Sequence, residues 1–180
     1  MRFESPGDRE MDARTNARPF VALAFLAASA CGGDGVVGPS DPDQGTPFRV
    51  EAALQPLADS VYVLTNAARS QAGAPVLVLD RDLTAVAQSH ADDMVRRGYV
   101  GHTTPEGAAL VDRVRWIGLS DTMVAENLAI DASAARAVDG WMDSQGHRAN
   151  MVRAGFTRIG IGVKRSADGS AIYFVQLFSG

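Results

Sequence analysis

The chain contains three histidines, His90, His102 and His147, and a single cysteine, Cys31. Imidazoles are the side chains that most readily gain or lose a proton, or ligate a metal, near neutral pH. Their neighbours therefore decide which chemistry is open. His102 lies in GHTTPEG (101–107), with two threonine hydroxyls and the Glu106 carboxylate close by in the chain. His147 lies in SQGHRAN (144–150), flanked by Ser144, Gly146 and Asn150. Glu126 interrupts AENLA (125–129), a segment otherwise small and largely apolar. A carboxylate in such a setting is costly to bury unless it is paired or hydrogen-bonded, and the two loop histidines are the candidate partners. His90 differs: it shares a helical face with Leu83, Val86, Ala87 and Met94 and is expected to be a half-buried core residue.

Local reading accounts for part of GHTTPEG without any site. Thr104 is predicted to cap a helix, Pro105 to occupy its first position, and Glu106 to stand in its first turn, where the helix dipole favours an anion. His102 has no place in that explanation. The chain has no HExxH, CxxC, GxSxG or glycine-rich phosphate loop, so the familiar local signatures of zinc proteases, redox enzymes, α/β-hydrolases and nucleotidases are absent. Spacing alone leaves open whether His102, Glu106, Glu126 and His147 converge.

The elements that would position these residues can be read from periodicity. Leu54, Leu57, Ala58, Val61, Leu64 and Ala68 recur at three and four, predicting an amphipathic helix from Glu51 to Gln71 that Gly73 ends. An extended run, Val76 to Leu79, leads to Asp80, the expected N-cap of a second helix that Gly98 stops. A third helical stretch runs to Ile117, and a fourth covers Ala134 to Met142 with Trp141 on its apolar stripe. SQGHRANM is read as a connection. The C-terminal part changes to period two, with a β-hairpin turning at Asp168 and Gly169. Gly160 and Gly162 in its first strand predict a close approach by another element, and Gln176 is read as facing a cleft. Asn66, Arg69, Asn127 and Asn150 are expected to hydrogen-bond irregular backbone. Helices precede strands instead of alternating with them, which favours an α+β domain with an antiparallel sheet.

Length and composition allow one domain: 180 residues with 46% apolar content support one sizeable core. A formal charge of -4 and a pI near 5.3 argue against a nucleic-acid partner. Residues 1–30 read as a signal peptide, with a start at Met11 leaving the ordinary, slightly basic leader. Its apolar stretch, Phe20 to Ala30, is too short to span a membrane. Ser29 and Ala30 before Cys31 resemble a bacterial lipobox, which implies lipidation of Cys31 and a membrane contact through that anchor only. Residues 31–48, rich in Gly, Pro and Asp, read as a flexible linker, and 49–180 as the folded domain.

Taken in order, LTNAARSQAG, LTAVAQSHADDM, GHTTPEG, AENLA, WMDSQGHRANM, FTRIGIGV and YFVQLF resemble the disulfide-free bacterial form of the CAP superfamily, which includes cysteine-rich secretory proteins, antigen 5 and pathogenesis-related proteins. The resemblance covers roughly residues 55 to 179. It implies a three-layer α-β-α sandwich around a central, mainly antiparallel sheet, with a cleft tetrad at His102, Glu106, Glu126 and His147. It further implies Zn²⁺ or another divalent cation held by His102 and His147, with the two carboxylates either orienting imidazoles or binding a metal-bound water. Gly101 and Ala125 depart from the usual serine and glycine of bacterial relatives and leave the tetrad intact.

Two functions follow as expectations. The first is an extracytoplasmic binding module whose cleft holds the cation and a small-molecule, lipid, peptide or glycan ligand. The second is a metal-assisted hydrolase or protease in which Glu106 or Glu126 acts as base. A metal-free variant would pair Ser144 with His147, but nothing in the sequence activates Ser144.

Overall fold

The computed structural model describes residues 48–119 and 123–180. The expected leader, Cys31 and the expected linker before Phe48 lie outside the described residues. The described elements are α1 (Gln55–Gln71), β1 (Val78–Leu79), α2 (Arg81–Arg97), α3 (Leu110–Trp116), β2 (Val124–Asp131), α4 (Ala134–Asp143), α5 (Gln145–Val152), β3 (Arg158–Arg165) and β4 (Ile172–Ser179).

α1 begins after a turn at 52–54, with Pro56 in its first turn, where a missing N–H removes no helical hydrogen bond. Its buried stripe is Ala58, Val61, Thr65 and Arg69. Arg69 is fully buried and donates to the carbonyls of Pro75, Met151, Arg153 and Phe156 at 2.7 to 3.1 Å. Asn66 brackets Leu77, taking its N–H at 2.8 Å and donating to its carbonyl at 3.1 Å. Both side chains thus stitch helix to irregular backbone, as their type and position suggest. α2 is capped by Asp80, whose carboxylate accepts from the N–H groups of Asp82 and Leu83, each at 2.9 Å. It ends at Gly98, left-handed at φ 69°.

The sheet order is β1-β3-β4-β2, with β1 parallel to β3 and the other pairs antiparallel. Strand alternation divides the core into two clusters. Ile159, Ile161, Val163, Phe174 and Phe178 face α1, α4 and α5, packing with Val61, Val138, Trp141 and Met151. Val175 and Leu177 face the other way, onto Leu83, Val86, Ala87 and Met94 of α2. Helices therefore cover both faces, giving the α+β sandwich. Gly160 and Gly162 explain how closely α2 lies on the sheet. A Cβ at Gly160 would stand 2.2 Å from the Leu83 carbonyl carbon, and one at Gly162 would stand 2.4 Å from that of Ala87.

Two local expectations are corrected, and one segment left open gains its element. AENLA is part of β2, the edge strand that pairs along its whole length with β4. SQGHRANM is largely helical, so His147 belongs to α5 and not to a loop. No helix starts at Pro105: the Thr104 N–H donates to the Ala108 carbonyl and the Ala108 N–H to the Thr104 hydroxyl, with Gly107 at φ 92°, closing a turn. The helix waits until Leu110, where Asp112 accepts the Ala109 N–H at 3.0 Å. Glu106 consequently receives no helix-dipole stabilisation.

Candidate functional site

As the edge strand, β2 displays alternate residues to the two helical layers: it carries Glu126, and its side chains reach His102 on one side and the His147 backbone on the other. Glu126 turns toward the α2 and α3 side. Its carboxylate is buried, 2% exposed, and receives a two-pronged contact from Arg113 of α3: Nη1 to Oε2 at 2.9 Å and Nη2 to Oε1 at 3.1 Å. His102 Nδ1 lies 2.8 Å from Oε1 of the same carboxylate. Burial by itself would raise the Glu126 carboxyl, but the hydrogen bonds from His102 and Arg113, with the guanidinium charge, hold it below the ordinary carboxylate range. The partner that an anion in AENLA demanded is therefore twofold, an imidazole and a guanidinium.

The loop carrying His102 is tied down by its backbone as well. Arg113 Nη2 donates to the His102 carbonyl at 3.0 Å, and His90 Nε2 to the Gly101 carbonyl at 2.8 Å. His90 is the core residue its helical face predicts, more deeply buried than half. Burial pushes its pKa down, against the attraction of Glu126. Neutral, with Nε2 donating, it acts as a strut. The His102 ring is more than half exposed, and its hydrogen bond to Glu126 raises its pKa against the opposing effect of desolvation.

On the other side of β2, Asn127 points toward α5. Its Nδ2 donates to the His147 carbonyl at 3.2 Å and to Gln176 Oε1 at 3.1 Å, while its Oδ1 accepts from Asn150 at 3.0 Å. Gln176 in turn donates to the Thr65 hydroxyl at 2.6 Å. It is a wholly buried link between α1 and β2 and not a cleft-facing residue. A buried polar chain from α1 through β4 and β2 thus sets the start of α5, and with it His147. Burial lowers the His147 pKa, and the nearby His102 charge lowers it further. The two imidazoles thus come from different segments, His102 from the loop after α2 and His147 from α5.

Glu106 stands apart from this group. It is two-thirds exposed and forms an ion pair with Arg97 of α2, whose Nη1 lies 2.7 Å from Oε2. The Arg97 hydrogen bond draws its carboxyl down to about 2. It also lines a cavity of about 480 Å³ with Ala85, Val86, His90, Arg97 and Arg113, to which neither His102, Glu126 nor His147 contributes. Among the described residues, no three His, Cys, Asp or Glu side chains are grouped to hold a metal ion.

Arg113 is the residue that reading the sequence did not single out. The signal was present: it lies three residues after Leu110 and next to Val114, a cation on the buried stripe of a short helix. Such a residue asks for a buried anion, just as Glu126 asks for a cation.

Comparison with known proteins now adds to this geometry. The sequence profile of the cysteine-rich secretory protein family, CAP, matches residues 62–178. Uncharacterized protein YkwD of Bacillus subtilis is 34% identical over 109 residues, 60% of this chain and 42% of that protein. Uncharacterized membrane protein YlbC of the same organism is 32% identical over 118 residues, 64% of this chain and 32% of that protein. The chain thus spans less than half the length of either relative. Among solved structures, an extracellular protein containing an SCP domain from Bacillus anthracis superposes with TM-score 0.63 at 29% identity, over 69% of this chain and 40% of that one. An outer surface protein of Borrelia burgdorferi superposes with TM-score 0.66 at 22% identity, over 70% and 93%, a likeness of fold. With the profile covering most of the chain and the helices and sheet arranged as in these structures, the protein belongs to the CAP, or cysteine-rich secretory protein, family.

Proposed function

We propose that this protein is an extracytoplasmic binding module, tethered through a lipid on Cys31, in which His102 and His147 hold a divalent cation, Zn²⁺ first among them. A small-molecule, lipid, peptide or glycan ligand would complete the coordination. The observation that carries this reading is the 2.8 Å contact between His102 Nδ1 and Glu126. A ligating histidine usually gives its second ring nitrogen to a carboxylate, which fixes the ring and raises its basicity. His102 has that arrangement, and its Nε2 remains as the ligating atom. His147, whose pKa is lowered, is neutral at physiological pH and so able to ligate.

Two imidazoles and no competing carboxylate suit a borderline cation such as Zn²⁺ better than Ca²⁺ or Mg²⁺, which need several oxygen ligands. When bound, the cation would supply a Lewis-acidic centre with open positions for a ligand. The hydrolase alternative lacks a base. Glu126 is committed to Arg113 and His102, and Glu106 to Arg97, so neither has the basicity that water activation needs. The extracytoplasmic assignment rests on the leader and Cys31 in the sequence, and on the description of the Bacillus anthracis relative as extracellular. Calorimetric titration with Zn²⁺ tests the reading: one equivalent should bind the wild type, and His102→Ala, His147→Ala should abolish it. Equal binding by both proteins would overturn it.

A further inference from the structure

The cation reading leaves Arg113 and His90 without an assigned role, although the loop bearing His102 hangs on both. We infer that Arg113 is a positioning residue that sets the tautomer and aim of the His102 imidazole, with His90 as its backbone counterpart. The inference deepens the cation-binding reading and rests on it for its consequence, though not for its geometry.

Five hydrogen bonds carry it. Arg113 donates to both oxygens of Glu126, at 2.9 and 3.1 Å. The guanidinium fork matches a carboxylate in this way and fixes its plane as well as its position. Glu126 is then an ionised acceptor on both oxygens, so the 2.8 Å contact with His102 Nδ1 has one sense: Nδ1–H donates, and Nε2 carries the lone pair. The same guanidinium reaches the His102 carbonyl at 3.0 Å, while His90 Nε2 holds the preceding carbonyl, that of Gly101, at 2.8 Å. Ring and backbone of His102 are therefore referred to one buried group. Arg113 is 6% exposed and Glu126 2%, so water does not loosen the arrangement. Lysine at 113 would keep the charge, but its single ammonium cannot grip both carboxylate oxygens in one plane and the His102 carbonyl together.

The test uses nitrogen-15 NMR of the histidine rings in the full chain, at a pH above the titration of each imidazole as followed in the same spectra, beside Zn²⁺ titration. The wild type should show His102 as a single Nδ1–H tautomer. In Arg113→Lys, checked for folding by circular dichroism, His102 should become a mixture of tautomers, and Zn²⁺ affinity should fall by about 10- to 100-fold, the usual effect of losing an outer-shell partner. His90→Phe, which removes the backbone strut but keeps the hydrogen bonds of Glu126 to Arg113 and His102, should weaken Zn²⁺ binding with the tautomer retained. Asp80→Ala, which lowers stability away from the site, should leave tautomer and affinity unchanged and so separates positioning from general destabilisation. A folded Arg113→Lys protein with a single Nδ1–H tautomer and wild-type Zn²⁺ affinity would overturn the inference. Should the wild type bind no Zn²⁺, the cation reading fails, while the tautomer comparison still decides the role of Arg113.

Discussion

Replacing Glu126 by glutamine keeps the size and shape of the side chain and removes its charge. Arg113 would then remain 6% exposed with no anion beside it, and one of its N–H groups would face an amide N–H in place of an oxygen. Breaking a buried pair by removing one partner costs about 3 to 5 kcal/mol, because the remaining charge is left uncompensated. Two charge-assisted hydrogen bonds at roughly 1.5 to 3 kcal/mol each give a similar figure. For a domain of this size the melting temperature should drop by roughly 10 to 20 °C. Urea unfolding followed by tryptophan fluorescence measures the loss directly.

Acid gives an internal control for the same substitution. The folded pKa of Glu126 lies below its unfolded value, so its contribution is fully present above the unfolded carboxyl range near ~4.3 and fades as pH falls through the folded value. The stability gap between wild type and Glu126→Gln should therefore narrow on acidification. The double variant Arg113→Met, Glu126→Gln should recover part of the loss, since it leaves no buried charge. A penalty below about 1 kcal/mol at neutral pH would refute the assignment of a buried ion pair, as would a gap that widens in acid.

Other outcomes follow from the packing. Gly162→Ala should cost about 3 kcal/mol or prevent folding, as judged by thermal melts, since the added Cβ meets α2 backbone at 2.4 Å and neither helix nor strand can easily shift. Arg69→Met should destabilise by about 3 kcal/mol or more in urea titrations, because the four carbonyls it serves lose their donor. Asp80→Ala should cost about 1 kcal/mol through loss of the α2 cap. The Asp80 carboxyl is held low overall: desolvation opposes this, and the Leu83 and Asp82 N–H groups and Arg158 outweigh it. Its contribution is thus present above the unfolded pKa near ~3.9 and disappears below the folded value, where wild type and Asp80→Ala should converge.

Much of the fold is legible in the sequence because its signals are local. Asp80 and Gly98 bracket α2 by capping chemistry, Asp168 and Gly169 mark the hairpin tip, and Gly160 and Gly162 announce that a neighbouring backbone comes close. The boundaries around GHTTPEG, AENLA and SQGHRANM are harder to read. Local capping at Thr104 competes with a turn that Gly107 closes at φ 92°, and the strand character of AENLA comes from its pairing with β4. The site shows the same division. Glu126 betrays itself as an anion among small apolar residues, and His102 as a residue that capping does not explain. That Glu126 meets Arg113, and that Glu106 turns away to Arg97, depends on side chains brought together by the tertiary fold. Gln176 illustrates the ambiguity of a polar residue in a strand. Period two puts it on one face, but only the packing shows that this face meets Thr65 in the interior.

The most direct measurement is X-ray absorption on the protein loaded with one equivalent of Zn²⁺. Two imidazole nitrogens at about 2.0 to 2.1 Å should be seen, with the remaining positions filled by light atoms from solvent or ligand. His102→Ala and His147→Ala should each remove one imidazole, and Glu106→Gln should change nothing. A first shell without two histidines, or one that survives the loss of His102 and His147 together, would contradict a cation site at the edge of β2.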